Sequence, residues 1–300
     1  MNSTLALACL TSKWHRVALF ILIACSSGAL AQTPTNPSPR PQASPSPTQA
    51  LERRFFKNIL QDQRAIWTSP LHIDSDDSKW LVPLGLSTTA LLFTDQYTAA
   101  ALHSDRTRLN VSRDVSYLGS AYATGAISGA FYLVGRAKND ARARETGILA
   151  AQALLNGVSV GQALKFGTQR TRPHQDIQGE FFEGGKSFPS GHAINSWALA
   201  TVIASEYKHR PFVRFGAFGL ATLVSASRFT GRNHFLSDVL IGSAIGYGIG
   251  RYVYRTHHDP NLERHHDNMS THGHSKLLPL ISPAYERSSR SYGIKLAWKL

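Results

Sequence analysis

The chain has 300 residues, of which 42% are hydrophobic, and this is enough to bury one core of domain size. Its formal net charge of +13 favours anionic partners: phosphate esters, anionic lipid surfaces or nucleic acid. No nucleic-acid-binding motif accompanies the charge, so nucleic acid is not expected as a partner. Cys9 and Cys25 are the only cysteines and both lie near the N-terminus, which excludes a disulfide or thiol chemistry in the folded domain.

Residues 1–31 have the pattern of an export signal, in which basic residues precede a short apolar run. Residues 29–31, Ala-Leu-Ala, offer a cleavage site at the end of this signal peptide. Residues 22–25, Leu-Ile-Ala-Cys, also resemble a bacterial lipobox, in which Cys25 would carry lipid and become the mature N-terminus. Both kinds of processing predict an exported protein, either periplasmic or membrane-associated.

Residues 32–50 hold six prolines among Thr, Ser and Gln, a composition that predicts a disordered linker. The helical domain is predicted over residues 51–256. It begins with an amphipathic helix over Leu51–Trp67. The apolar stripe of this helix could lie on a membrane surface, although packing against the domain is the simpler expectation.

Four apolar segments predict core helices, at Trp80–Thr94, Val115–Gly135, Gly147–Leu164 and Phe212–Phe229. Two further helices are predicted to begin near Ser190 and His234. The expected fold is therefore all-α, a bundle of about six core helices. Two of the segments approach the length of a membrane span, but the mean hydropathy of −0.18 favours a soluble or peripheral bundle over spanning helices.

The C-terminal part of the chain changes character. Residues 257–276 contain six histidines in a polar stretch, and we predict a flexible exposed loop there rather than a metal site. Residues 277–300 end in strict alternation of apolar and other residues, which predicts a small C-terminal β-hairpin. A two-stranded hairpin is not stable alone, so it is expected to pack on the bundle or on a membrane surface.

Three groups of polar residues between Lys165 and Asp238 carry the chemical signal. They are Lys165 followed after six residues by Arg172-Pro173, the tetrapeptide Pro189-Ser190-Gly191-His192, and Ser227-Arg228 followed by His234 and Asp238. Together they supply three cations, two histidines, one carboxylate and a glycine turn that opens a helix. A phosphoryl group that is bound as a dianion and attacked by a nitrogen nucleophile needs these groups.

The spacing within these groups suggests how they cooperate. On a helix His234 and Asp238 would lie four residues apart on one face, where the carboxylate could fix the imidazole tautomer. Ser190 is a plausible N-cap, and Gly191 allows the backbone to approach an anion at a helix N-terminus. A His-Asp pair four residues apart, or a Ser-Gly pair at a helix start, also occurs in proteins for purely structural reasons. Arg170 and Arg232, which lie outside the pattern, are predicted to be solvated cations.

Taken together, the eleven positions resemble the three-part signature of the type-2 phosphatidic acid phosphatase superfamily, K-x6-R-P, P-S-G-H and S-R-x5-H-x3-D. All eleven match, spacings included. The superfamily also contains non-specific acid phosphatases and vanadium-dependent haloperoxidases. The resemblance covers the catalytic half of the chain and says little about its two ends.

The resemblance implies a role for each matched residue. His234 would be the nucleophile that forms a phosphohistidine, Asp238 its orienting carboxylate, and His192 the general acid and then the base that activates water. The phosphate-binding groups would be Lys165, Arg172, Ser190, Gly191 and Arg228. No metal and no other cofactor is implied, because the cations take the place of a metal.

We therefore expect an exported, metal-independent phosphatase of phosphomonoesters or diphosphates, with lipid phosphates such as phosphatidic acid or a polyprenyl diphosphate as the first choice. Two alternatives stay open at this point. One is a vanadium-dependent haloperoxidase with vanadate bound at His234. The other is a non-catalytic envelope protein that binds anionic lipid through its charge and its C-terminal hairpin.

Overall fold

The computed structural model describes residues 47–71, 75–102 and 105–262, together with the backbone of 280–286 and 291–297. Between residues 47 and 262 the regular secondary structure of the described chain is all helical, which confirms the all-α prediction. The predicted export signal over residues 1–31 lies outside the described residues. The same holds for most of the linker and for most of the histidine-rich loop.

The described residues contain eight α-helices instead of about six. Their bounds are α1 Pro47–Thr68, α2 Ser75–Ala101, α3 Arg106–Tyr117, α4 Ala121–Ala137, α5 Ala141–Thr168, α6 Gly191–Glu206, α7 Pro211–Thr230 and α8 Leu236–His257. A short 3₁₀ helix, Ser69–Leu71, follows α1. The helix predicted over residues 51–67 is thus α1, which begins four residues earlier.

The single helix predicted over Val115–Gly135 is wrong, because the chain turns between α3 and α4. Ser120 caps α4, since its Oγ accepts a hydrogen bond from the Ala123 N–H at 3.1 Å. A Cβ atom on Gly119 would lie 2.4 Å from Cγ1 of Val224, so the turn is pressed against α7. An apolar pattern shows neither feature, and it therefore joined two helices into one.

The C-terminal hairpin predicted over residues 277–300 stays a prediction. The structure gives backbone bounds for two antiparallel strands, β1 Leu280–Glu286 and β2 Ser291–Ala297, with Leu280 opposite Ala297. The side chains of both strands lie outside the described part of the chain. The expected packing of the hairpin on the bundle or on a membrane is accordingly untested.

Helices α6 and α8 run parallel at very short distance. Gly242, Gly246 and Gly250 line the contact, and a Cβ on them would lie 2.6, 2.3 and 2.7 Å from the carbonyl oxygens of Ser190, Ile194 and Ala198, respectively. The three glycines are four residues apart and so share one face of α8. The equal steps along both helices place their N-termini at the same end of the bundle.

Helix α5 runs antiparallel to α6 and α8 and forms the core with them. The core cluster contains Leu149, Ala153, Ala198, Val202 and Val253, all of them buried. Gly157 and Gly161 of α5 face Ile194 near the start of α6, so the C-terminal end of α5 reaches the N-terminal ends of α6 and α8. This arrangement gathers the predicted site residues at one end of the bundle.

Helix α1 packs on the bundle, in agreement with the simpler of the two expectations for it. Leu51 belongs to the buried core, and Phe55 and Ile66 pack against the same cluster. Polar contacts fix the position of the helix: Nδ2 of Asn156 on α5 donates to Oδ2 of Asp62 at 3.0 Å, and the two side chains are buried. The amphipathic pattern therefore marks a face turned towards α5.

Several helices present large apolar side chains on the outside of the bundle. On α7, Phe212 is 91% exposed and Phe215 77% exposed, and on α2 Trp80 is 81% exposed. By length and composition, one described helix, α5, could cross a membrane. In the most apolar 18-residue stretch of α5, 61% is buried inside the protein, as in the core helix of a bundle. The apolar outer surface thus belongs mainly to other helices.

Replacing Gly246 by Ala tests the close contact of α6 and α8. The new Cβ would meet the backbone oxygen of Ile194, which cannot move alone, so we expect a loss of about 1–3 kcal/mol in the free energy of unfolding. Gly248→Ala is the matched control, because a Cβ there meets nothing within 4 Å and alanine favours the helix. Chemical denaturation of both variants checks this; equal stability would contradict the packing.

Candidate active site

The eight predicted site residues lie at the meeting point of four helix ends. Lys165 is in the last turn of α5 and Arg228 in the last turn of α7. Ser190 is the N-cap residue of α6, and Gly191 and His192 are the first two residues of this helix. The other three site residues are Arg172, His234 and Asp238. The backbone N–H of Ser190 donates to the carbonyl of Asp238 at 3.0 Å and joins the starts of α6 and α8.

His234 lies in the loop before α8, not on the helix as the spacing suggested. Helix α8 begins at Leu236, and Asp238 lies in its first turn. The two side chains still face each other, with Nδ1 of His234 3.5 Å from Oδ2 of Asp238, and both are almost fully buried. The carboxylate therefore lies on the Nδ1 side of the imidazole, which leaves Nε2 for another partner.

Asp238 is held by hydrogen bonds from three directions. Oδ2 accepts from Oγ of Ser187 at 2.5 Å and from the Phe235 N–H at 2.9 Å, while Oδ1 accepts from Nη1 of Arg170 at 2.7 Å. Burial alone would raise the pKa of this carboxyl, but the contacts with His234, Arg170 and Ser187 outweigh it and hold the pKa below its usual value. The carboxylate is thus ionised and fixed.

The sequence analysis missed Ser187 and Arg170; Arg170 was predicted to be a solvated cation. Only 2% of its surface is exposed, and its guanidinium also forms an ion pair with Asp95 of α2 at 2.9 Å. The rings of Phe235 and Phe181 cover its two sides at 4.2 and 4.9 Å. Its position two residues before the matched Arg172 was the one available signal, and it does not distinguish a buried arginine from a surface one.

The N-terminus of α6 forms an anion cradle. Ser190 is fully buried, and its Oγ makes no hydrogen bond to any residue in the described part of the chain. A Cβ on Gly191 would come no closer than 3.8 Å to the protein, so the space above this backbone is open. Free N–H groups and the positive end of the helix dipole favour an anion at this point.

Three cations converge on the cradle. Nζ of Lys165 donates to the carbonyls of Pro189 and Lys186, which turns the ammonium towards the start of α6. Burial and the charges of Arg172 and Arg228 lower the pKa of Lys165 to about 8, against the opposing effect of Asp238. Burial and Arg172 likewise lower the pKa of Arg228 to about 10. Like charges that lower each other's pKa are close together, and a bound anion would relieve them.

Both histidines are neutral in the absence of an anion. Burial, together with the positive charges of Arg228 and Lys165, lowers the pKa of His234 to about 4, although Asp238 opposes the shift. Burial and the same cationic surroundings lower the pKa of His192 to about 3. A phosphate dianion would reverse the effect of the cations on both imidazoles. The free site thus offers one imidazole lone pair beside a cluster of positive charge.

The described bundle places a cluster of cations and two neutral histidines at the N-termini of two helices, an arrangement that suits a phosphate ester. Residues 146–262 match the model of the PAP2 superfamily. The matched segment includes all eight predicted site residues. The resemblance inferred from the three motifs is confirmed.

Two individual relatives match parts of the chain. The chain is 36% identical over 69 residues to a lipid A 1-phosphatase of Porphyromonas gingivalis, which is 23% of this chain and 16% of the relative. It is 29% identical over 143 residues to a PA-phosphatase related-family protein of Dictyostelium discoideum, or 41% and 52% of the two chains. The chain thus spans about half or less of these curated relatives.

Two solved structures resemble the fold. A transmembrane PAP2 type phosphatidylglycerolphosphate phosphatase from Bacillus subtilis shares 23% identity, with a TM-score of 0.45 over 58% of this chain and 94% of that one. LpxE of Aquifex aeolicus shares 21% identity, with a TM-score of 0.41 over 51% and 88%. Both likenesses are distant.

The buried ion pairs of Arg170 predict a large effect of removing its charge. In Arg170→Gln, Asp238 and Asp95 lose their common partner inside the protein, and we expect a loss of about 3–5 kcal/mol in the free energy of unfolding. Arg172→Gln is the matched control: this side chain is half-buried and forms no ion pair with a described residue, so stability should change by less than about 0.5 kcal/mol. Chemical denaturation at pH 7 measures both, and a similar small loss in both would contradict the role of Arg170.

Proposed function

We propose that this protein is an exported, metal-independent phosphatase that hydrolyses phosphate esters through a phosphohistidine. The observation that carries the proposal is the position of the neutral His234, held by Asp238 on one side and surrounded by cations on the other. Such a pair provides a nucleophilic nitrogen next to a place where an anion is strongly attracted. The match of residues 146–262 to the PAP2 superfamily model supports the same chemistry.

The first step would be an attack by Nε2 of His234 on phosphorus. A P–N bond forms, the P–O bond to the leaving group breaks, and His192 gives a proton to the departing oxygen. His192 is neutral in the free site, where burial and the surrounding cations lower its pKa to about 3. A bound substrate dianion would raise this pKa and favour the protonated imidazole. Binding of the substrate would therefore prepare its own general acid.

The second step would release phosphate. The now neutral His192 takes a proton from a water molecule, the water oxygen attacks phosphorus, and the P–N bond breaks. Lys165, Arg172 and Arg228, with the α6 N-terminus, would stabilise the charge of the transferring phosphoryl group in both steps. Asp238 would keep the Nδ1–H of His234 oriented, and Arg170 and Ser187 would keep Asp238 in place.

We propose a lipid phosphate as the substrate class. An apolar cleft of about 560 Å³ between α1, α4 and α5 supports this choice. Its lining includes Asn195, one helical turn from His192, as well as Ala121, Leu154 and Leu155. The cleft could hold an acyl or prenyl chain while the headgroup phosphate occupies the cradle. The exposed aromatic side chains of α7, Phe212 and Phe215, further support association with a membrane surface.

Phosphate release by wild type and His234→Ala tests the mechanism, on phosphatidic acid, a polyprenyl diphosphate and an aryl phosphate, with chelator present. We expect wild-type turnover to persist in chelator and His234→Ala to lose at least about a thousandfold in kcat, because it lacks the nucleophile. The fold should survive, since Asp238 retains its bonds from Ser187, Phe235 and Arg170. Exposed His174→Ala is the matched control and should keep full activity.

Three outcomes would contradict this proposal. Phosphate release that persists in His234→Ala would exclude a phosphohistidine at this residue. Halide oxidation on addition of vanadate, without phosphatase activity, would favour the haloperoxidase alternative. Liposome binding unchanged by His234→Ala, with no turnover of any ester, would favour a non-catalytic lipid-binding protein.

The lowered pKa of Lys165 predicts the alkaline limit of activity. The ammonium is charged below its pKa of about 8 and loses its proton above it, so kcat/KM should fall above about pH 8 as attraction for the phosphate weakens. Lys165→Arg should move this fall up by more than one pH unit, because arginine keeps its charge. Exposed Lys186→Arg, next to the same loop, serves as control and should leave the profile unchanged. An unshifted profile in Lys165→Arg would assign the alkaline limit to another group.

A further inference from the structure

A second cluster of chemically active side chains lies at the opposite end of the same helices. Glu145 is in the first turns of α5, Glu206 is the last residue of α6, and His258 follows the end of α8. Twenty residues of α5 separate Glu145 from Lys165, which is roughly 30 Å along a helix. The phosphate site uses none of these three groups.

The geometry of the three groups suits one shared ion. Nδ1 of His258 lies 3.5 Å from Oε1 of Glu145 and 3.4 Å from Oε1 of Glu206, longer than an ordinary hydrogen bond. One ligand atom from each of the three residues lies within 4.8 Å of the other two. Two ligands at about 2.1 Å from a tetrahedral metal ion are about 3.4 Å apart. The distance from Nδ1 of His258 to Oε1 of Glu206 equals this edge, and one oxygen of Glu145 lies within 4.8 Å of both ligand groups.

Two buried carboxylate oxygens in the cluster call for a positive partner. Oε2 of Glu145 and Oε1 of Glu206 are inaccessible to solvent and accept no hydrogen bond of normal geometry from a described residue. The two residues themselves are 0% and 2% exposed. Burying carboxylate oxygens without strong partners is costly. Nδ1 of His258 lies 3.4 Å from Oε1 of Glu206, and a metal ion would contact both carboxylates more directly.

Neighbouring groups orient the candidate ligands as they do around metal sites. The backbone N–H of Asp259 donates to Oε1 of Glu145 at 2.7 Å and leaves Oε2 free to bind. The ring of Tyr254 stacks on His258 at 4.4 Å and fixes the plane of the imidazole. Such secondary contacts hold ligand atoms in place before an ion arrives.

We propose that Glu145, Glu206 and His258 bind a divalent transition-metal ion, with zinc and manganese as the ions that suit two carboxylates and one imidazole. The ion would tie the ends of α5, α6 and α8 together. A fourth position would be left for water. This site lies apart from the phosphate site and does not depend on the proposed phosphatase activity.

A proton is the competitor of the metal ion. Without an ion, the two glutamates raise the pKa of His258 to about 10 against the effect of burial, so the imidazole can be held as a cation between them. Arg142 also lies near Glu206 and contributes positive charge. An ion triad of this kind would satisfy the cluster without metal, and the experiment has to separate the two arrangements.

Metal content decides between them. The full chain is prepared with His265, His266, His272 and His274 replaced by Ala, so that the histidine-rich segment cannot bind metal. After chelation and removal of the chelator, Zn²⁺ or Mn²⁺ is titrated by calorimetry, and retained metal is measured by mass spectrometry after desalting. We expect one equivalent per chain, with a rise in Tm.

Single substitutions then assign the ligands. Glu206→Gln and His258→Gln should each weaken binding at least tenfold, whereas His257→Gln, the adjacent histidine that contacts Asp62 at 2.8 Å instead, should bind like the parent. Substoichiometric metal in the parent, or equal binding in Glu206→Gln, would overturn the proposal and leave the ion triad. Metal binding by the chain that carries only the four His→Ala replacements tests the proposal even if a further variant fails to fold. Because phosphate release is not the readout, failure here is distinguishable from failure of the proposed phosphatase.

Discussion

The buried ion pair between Arg170 and Asp238 is the interaction on which the catalytic end of the molecule depends. Arg170 belongs to the loop between α5 and α6, Asp238 to α8, and Asp95, the second partner of the guanidinium, to α2. All three side chains are at most 2% exposed. None of these charges would be stable there alone, so the segments have to assemble together.

This pair also determines what the other charges can do. Because Arg170 and Ser187 satisfy Asp238, the carboxylate needs no cation from the cradle, and Lys165 and Arg228 keep their charge for an anion. The crowding of positive charge is unfavourable in the free protein, as the lowered pKa values of both residues indicate. In the function that we propose, a bound phosphate dianion would relieve this repulsion, and the same cations would stabilise the charge that is redistributed over the phosphoryl oxygens in the transition state.

The sequence predicted the helical class and the convergence of eight site residues, because spaced polar motifs at the ends of apolar segments contain that information. It could not predict the turn at Gly119, where contact with Val224 and a serine cap decide the local structure. It also missed Arg170, since a buried arginine differs from a solvated one only in its partners. For the same reason the prediction of a flexible loop was wrong for His257 and His258. These two residues lie at the end of α8 and contact the buried carboxylates of Asp62 and Glu145.

Helix direction connects the two ends of the bundle. The N-termini of α6 and α8 point at the phosphate cradle, and their dipoles favour an anion there. Helices α5 and α7 run the other way, and Lys165 and Arg228 offset the negative dipole at their C-terminal ends. At the far end the C-termini of α6 and α8 meet Glu206 and His258, where the dipoles favour a cation. The anion site and the metal site that we propose at the two ends therefore both agree with the parallel packing of α6 on α8, which the glycine stripe makes possible.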